Sequence, residues 1–141
     1  MRTACLLTLA GMLLVDVAVA GAVVRHGSIP KFYIGSWAPS AKSCGGGSKA
    51  VIRLSAETYV RAGMKCIVRG VYETAGARGS IYSARMQCSQ SAGRTRRTTA
   101  NLIMEAGRAG RVLMGSDFNN LRSYQRCQSS KQISVAIFDE R

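Results

Sequence analysis

Beyond residue 30 apolar and polar residues alternate with a period of two, the pattern of strands that bury one face and wet the other. Residues 50–55 place Ala50, Ile52 and Leu54 on one face and Val51, Arg53 and Ser55 on the other. Residues 95–105 place Ala100, Leu102 and Met104 inside and Asn101 and Glu105 outside, with Ile103 at an edge. Further strands are expected over residues 31–37, 57–61, 112–114 and 121–127, together with the two arms of a central hairpin. Between them lie turn signals: Ala38-Pro39-Ser40, the run Gly45-Gly46-Gly47-Ser48, residues 89–93, Gly107 to Gly110, and Asp117-Phe118-Asn119-Asn120. The segments are too short, and too rich in Gly, Ser, Thr and β-branched residues, to favour helix. About eight short strands at this spacing predict an all-β chain, a single small antiparallel up-and-down β-barrel over residues 31–127.

The central hairpin carries the strongest signal. Cys66 and Cys88 lie at nearly equal distances from the turn Gly76-Ala77-Arg78-Gly79. Folding about Ala77 sets Cys66 across from Cys88, then Val68 across from Met86, Gly70 from Ala84 and Tyr72 from Tyr82. The opposite face pairs Ile67 with Gln87, Arg69 with Arg85, Val71 with Ser83 and Glu73 with Ile81. One face is then mostly apolar and holds both cysteines, while the other is mixed and basic. A one-residue slip would scramble that separation.

The first 20 residues bear on whether those cysteines oxidise. A short positive start, an apolar run over residues 3–15 and Ala18-Val19-Ala20 read as a cleavable signal peptide, with cleavage before Gly21 or two residues later. Asp16 interrupts the run, which is shorter than the roughly 20 apolar residues of a spanning helix. Periplasmic or secreted localisation is the expectation. Residues 21–30, broken by Gly21, Gly27 and Pro30, read as a mobile linker. Residues 128–141 form a tail whose apolar stretch 133–138 suits an edge strand or a partner-binding segment. The mature chain keeps four cysteines, an even number with no metal-type spacing. With Cys66 joined to Cys88, Cys44 is left to join Cys127 and tie the start of the domain to its end.

Charge sharpens the picture. The chain carries 20 Lys and Arg against 7 Asp and Glu, a net charge of +13 that loss of Arg2 and Asp16 leaves unchanged. Arg94, Arg96 and Arg97 form a dense cluster. Arg69 and Arg85 are expected opposite each other on the outer face, with Arg53, Lys65 and Arg97 extending it. Such a face suits an anionic envelope component, because arginine makes bidentate contacts with phosphate and carboxylate. The alternative is that the arginines are solvated surface charge. Nucleic acid is disfavoured, since no aromatic residue is interleaved with the cluster. Catalysis is disfavoured too. His26 is the only histidine, it lies on the linker, and no nucleophile with a neighbouring base is evident. No cofactor or metal is implied.

The layout Gly35-Ser36-Trp37, two cysteines on neighbouring central strands, and a closing Tyr124-Gln125-Arg126-Cys127 is similar to small periplasmic β-barrel proteins of proteobacteria, the lipocalin-like group that includes the alkaline-protease inhibitors. The resemblance covers roughly residues 31–127. It implies an eight-stranded barrel entered through a Gly-x-Trp strand, a leading arm matching residues 21–34 that enters a protease cleft, and a protease or hydrolase as protein target. The chain departs from the inhibitors in its four mature cysteines and its basicity. Trp37 is expected to close the barrel floor.

Overall fold

The computed structural model describes residues 21–45, 47–90 and 97–128. Among these, nine strands form one antiparallel sheet: β1 (Val24–His26), β2 (Gly35–Ala38), β3 (Ile52–Leu54), β4 (Thr58–Arg61), β5 (Met64–Gly76), β6 (Gly79–Gln90), β7 (Thr98–Ala106), β8 (Val112–Gly115) and β9 (Arg122–Arg126). Their order is β1-β5-β4-β3-β2-β9-β8-β7-β6, and β6 pairs back onto β5. Strands β2 to β9 therefore close an eight-stranded up-and-down barrel. The remaining regular pieces among the described residues are three single 3₁₀ turns. The barrel interior holds Ile52, Leu54, Val68, Val71, Met86, Leu102, Met104, Val112 and Met114 with Trp37 and Tyr124. Burial of such side chains is what drives closure. The two disulfides join Cys44 to Cys127 and Cys66 to Cys88. They mark an oxidising, extracytoplasmic environment. The expected signal peptide (1–20), residues 129–141 of the tail, and Arg94 and Arg96 lie outside the described residues.

The hairpin register holds on one side of a β-bulge and shifts by one residue on the other. Cys66 pairs with Cys88, Ile67 with Gln87 and Val68 with Met86, as the spacing implied. Beyond that point Gly70 faces Arg85, Val71 faces Ala84, Tyr72 faces Ser83 and Glu73 faces Tyr82. The cause is geometric. The turn is the two-residue link Ala77-Arg78 between paired Gly76 and Gly79, and on its own it would set Cys66 against Ser89. One extra residue on β5, Arg69, absorbs the mismatch. Arg69 and Arg85 are therefore not directly opposed, which corrects the expected like-charge pair. Val71 becomes fully buried and Glu73 turns away from the arginine face.

Residues 21–30 also differ from the expected mobile linker. Val24–His26 pair with Val71–Glu73 of β5, above the stretch of β5 that β4 occupies. Ile29 is buried in the core, and its N–H donates to the Ala56 carbonyl at 2.8 Å. The expected first strand over residues 31–37 divides in the same way. Pro30 opens a 3₁₀ turn (Lys31–Tyr33) that carries Tyr33 into the barrel floor, and the strand proper starts at Gly35. Trp37 is 1% exposed and donates its indole N–H to the Tyr33 carbonyl at 2.8 Å. Directly across the ladder, Arg126 lies 4.4 Å from the Trp37 ring centroid. Its guanidinium donates to the carbonyls of Ile34 and Phe32, each at 2.6 Å. Gly35 is required here. Its φ is +141°, and a Cβ would lie 2.5 Å from Arg126 Nη1. On the outer face, Glu105 and Ile103 are buried rather than exposed or at an edge. Arg78, reaching back from the hairpin turn, holds the Glu105 carboxylate at 3.2 Å.

Candidate functional site

The basic outer face forms where the ladders bring positive side chains to one side of the sheet. Arg53 faces Val60, Val60 faces Lys65, and Lys65 faces Ser89, so these four share a row across β3, β4, β5 and β6. Lys65, Arg69 and Arg97 then line a single groove of about 260 Å³ with Ile67, Gln87, Ser89 and the Cys88 backstop. Arg69 donates to the Gln87 side-chain carbonyl at 2.6 Å, a contact that aims it along the groove. Arg85, exposed between Gly70 and Asn101, lies one outward position from Gln87 on the same face. The bulge helps build this groove, because the extra residue that corrects the cysteine register is itself the arginine. Ile67 stands 46% exposed among the cations and gives the groove an apolar floor. Of the predicted basic residues, the structure thus gathers Arg69 and Arg97 with Lys65, and sets Arg85 beside them. Arg53 borders two further surface hollows next to the Gly47-Ser48 loop.

No carboxylate among the described residues forms an ion pair with this face. Glu105 pairs with Arg78, and Glu73 with His26. Asp117 accepts from the N–H groups of Asn119 and Asn120, the Asn120 amide and the Ser116 hydroxyl. These bonds, the Asn120 amide first, hold its carboxyl below the ordinary range. Glu57 is exposed beside the face, and its backbone carbonyl accepts from Val68. The cations of the groove therefore have no acidic partner among the described residues and stand beside an exposed isoleucine, the surface an anionic partner would complement.

A second polar group sits where β1 crosses β5. His26 Nε2 donates to Glu73 Oε2 at 2.6 Å, and the Ser80 hydroxyl donates to Glu73 Oε1. The Ser80 contact, then His26 and Tyr82, lowers the Glu73 pKa. Behind it Tyr33 is pushed up to about 12, by burial first and then by Tyr82, Glu105 and Glu73. Strand alternation alone does not reveal this cluster, because the expected register faced Glu73 toward the arginines. Histidine, carboxylate and serine occur together here, yet both hydrogen bonds end on the carboxylate. The imidazole does not bond the hydroxyl, so the pair is not arranged as base and nucleophile.

Two arginines not assigned to the basic face do structural work. Arg126 closes the floor as described. Arg111 donates to the Ser123 hydroxyl at 2.6 Å, the Gln125 side chain at 3.2 Å and the Pro39 carbonyl at 2.9 Å, locking β9 and the loop after β2 to the start of β8. No local pattern separates these residues from the solvated arginines, since their partners are distant in sequence. Comparison of the chain with protein-family models, curated proteins and solved structures finds no match.

Proposed function

We propose that this chain is an exported, non-catalytic binding module that docks an anionic envelope component on the groove formed by Lys65, Arg69 and Arg97, with Arg85 beside it. The observation that carries the reading is the convergence of these cations around exposed Ile67, with no acid among the described residues paired to them. Arginine and lysine donors supply charge-assisted hydrogen bonds to phosphate or carboxylate, and the isoleucine supplies apolar contact for an amphiphile. A rigid barrel holds the donors in place, which lowers the ordering cost of binding. The test is co-sedimentation with outer-membrane material. The protein is expected to sediment at low salt and to release as ionic strength rises. Reversal of Arg69 and Arg85 to Glu is expected to abolish retention with the fold intact. Retention unchanged by the reversal overturns the reading.

The inhibitor reading has a narrower footing. Residues 21–23 precede β1 and are exposed, Val23 by 60%, so a three-residue arm is free to enter a cleft. The longer arm expected over residues 21–34 is not free, because Ile29 and Tyr33 are core. Removal of residues 21–23 alone is the matching test. Stoichiometric inhibition of a periplasmic protease or hydrolase that disappears with those residues supports this reading, and inhibition that persists without them removes it.

A further inference from the structure

The bulge at Arg69 moves an aromatic ring as well as a charge. In a regular register Tyr72 would share the inner face with the cysteines. In the bulged ladder Val71 faces Ala84, both fully buried, so Tyr72, the next residue on β5, points outward. Its direct partners are Arg25 on β1 and Ser83 on β6, and residues opposed across a ladder share a face. In the neighbouring row of that face Gly70 faces Arg85, and Arg85 faces Asn101. The Tyr72 ring lies back over Gly70. A Cβ at the glycine would stand 3.6 Å from the phenol oxygen, 3.7 Å from Cε2 and 3.8 Å from Cζ. With no side chain at position 70 the ring settles against its own strand, and Tyr72 stays partly exposed.

The surroundings of this ring have a definite chemistry. Arg25 and Arg85 are exposed and form no ion pair or ring stack among the described residues. Neutral hydrogen-bonding side chains stand between the cations: Ser83 beside Tyr72, Asn101 beside Arg85, and Gln87 one outward position further along β6. Tyr82 and Tyr33 turn the other way and pack on each other, ring centroids 5.6 Å apart. Single-stranded nucleic acid is held by a run of aromatic platforms, one base after another, and this face offers a single ring. One ring among amides, a hydroxyl and guanidinium groups complements a sugar ring that carries phosphate. The C–H bonds of a pyranose pack on the electron-rich face of the phenol, its hydroxyls pair with Ser, Asn and Gln, and phosphate takes arginine.

We propose that the anionic component docked on the outer face is a phosphorylated, acylated sugar, its pyranose ring on Tyr72 and its phosphates on Arg25 and Arg85. The proposal rests on the reading of the outer groove as an anion site and adds the class of ligand. The layout follows head and tail. Ile67, 46% exposed, lies on the same face four ladder steps from Tyr72, about 13 Å, with Arg69 and Arg85 between them. The sugar is thus set at one end of the arginine row and the apolar contact at the other. The face is an open sheet, which suits a headgroup presented on a membrane surface and gives a small free sugar phosphate little to bury.

Phosphatidylcholine vesicles doped with one of three lipids form the test: an acylated glucosamine disaccharide bisphosphate, phosphatidylglycerol at matched charge, or an uncharged hexosyl diacylglycerol. The oxidised chain is expected to bind the first at least about tenfold more tightly than the second, and the third not measurably. Tyr72→Leu covers Gly70 with a side chain that has no π face, and should bring the two charged lipids within about threefold of each other. Tyr72→Phe should keep the preference. In the parent, free glucosamine 1-phosphate should shift the Tyr72 ring resonances while glycerol 3-phosphate leaves them in place. Equal binding of the two charged lipids by the parent, or a preference that survives Tyr72→Leu, overturns the proposal. So does tighter, Tyr72-dependent binding of single-stranded oligodeoxythymidine. Displacement from the vesicles by glucosamine 1-phosphate at equal sugar concentration overturns the membrane-borne source. Failure here is separable from failure of the groove reading. If both charged lipids bind alike and both are lost when Arg69 and Arg85 are reversed to Glu, the anion groove stands and the sugar falls. If neither charged lipid binds, both fall.

Discussion

Replacing Arg126 by Ala should cost this barrel more than any other exposed charge. Three contacts vanish together: the guanidinium over Trp37 at 4.4 Å and the two hydrogen bonds to the Phe32 and Ile34 carbonyls at 2.6 Å. A cation–π contact at a half-open site is worth about 0.5–2 kcal/mol. A hydrogen bond with a charged donor contributes about 1.5–3 kcal/mol, less where water can replace the donor. Partial replacement by water at this exposed position brings the expected loss to about 3 kcal/mol. For a domain of this size that is a fall of roughly 12–20 °C in Tm. Lysine should recover part of it, because an ammonium can stand over the ring but cannot fork to both carbonyls. A second change tests the geometry itself. Gly35→Ala places a methyl 2.5 Å from Arg126 Nη1 at a φ of +141°. In the Arg126→Ala background the clash disappears and only the backbone strain of about 1–3 kcal/mol remains. The two substitutions should therefore be markedly less than additive. Urea unfolding followed by Trp37 fluorescence and by circular dichroism gives the four free energies. A cost below about 0.5 kcal/mol for Arg126→Ala, the level of an ordinary surface change, would refute the closure argument.

The two disulfides should contribute unequally. Opening Cys44–Cys127, which spans 83 residues, is expected to cost about 4–5 kcal/mol, and opening Cys66–Cys88, which spans 22, about 3 kcal/mol, measured as paired Cys→Ser variants in urea. Equal costs would argue against loop closure as the main contribution. The Glu73 pKa lies below its ordinary value, so the stability it adds is present above the ordinary carboxylate range and is lost as pH falls through the folded value. Glu73→Gln should accordingly be less stable than the parent at neutral pH and converge with it as pH falls through the folded value of the carboxyl, whereas a gap constant with pH would contradict the assignment. The β4–β5 turn is Ala62-Gly63, both with positive φ (46° and 78°), a conformation that favours Asn at the first position. Ala62→Asn should raise stability by about 0.5–1 kcal/mol, read as a higher urea midpoint.

The barrel was legible in the sequence because its signals are local. Period-two alternation in β3, β7 and β8 and the glycine- and asparagine-bearing turns mark strands wherever one face is buried. The cysteine spacing likewise pointed to Cys66–Cys88, and elimination to Cys44–Cys127. What was not legible depends on a conflict between two local constraints. The Ala77-Arg78 turn fixes one register and the cysteine pair fixes another, and only the assembled sheet shows that Arg69 takes up the difference. Every face beyond the bulge follows from it, including Glu73 turning toward His26. The N-terminal segment was hidden for another reason. Gly27 and Pro30 break periodicity, yet Ile29 and Tyr33 are held by the barrel itself, Ile29 through the Ala56 carbonyl of the β3–β4 turn and Tyr33 through the Trp37 indole of β2. Of the outer site, Lys65, Arg69 and Arg97 could be proposed from strand alternation. Tyr72 beside it could not, since the regular register sets that ring on the cysteine face.

Deletion of Arg69 tests the bulged hairpin most directly. If Arg69 is the extra residue, its removal leaves a regular ladder in which Gly70 still faces Arg85, Val68 still faces Met86 and Cys66 still faces Cys88. Non-reduced peptide mapping of the deleted chain should then recover Cys66–Cys88 and Cys44–Cys127 at the parent's yield, with one cation fewer in the groove. If the hairpin were regular about Ala77 instead, the deletion would slip the strand by one residue and set Cys66 against Gln87. Loss of the Cys66–Cys88 peptide, or its replacement by a Cys44–Cys66 link, would contradict the account.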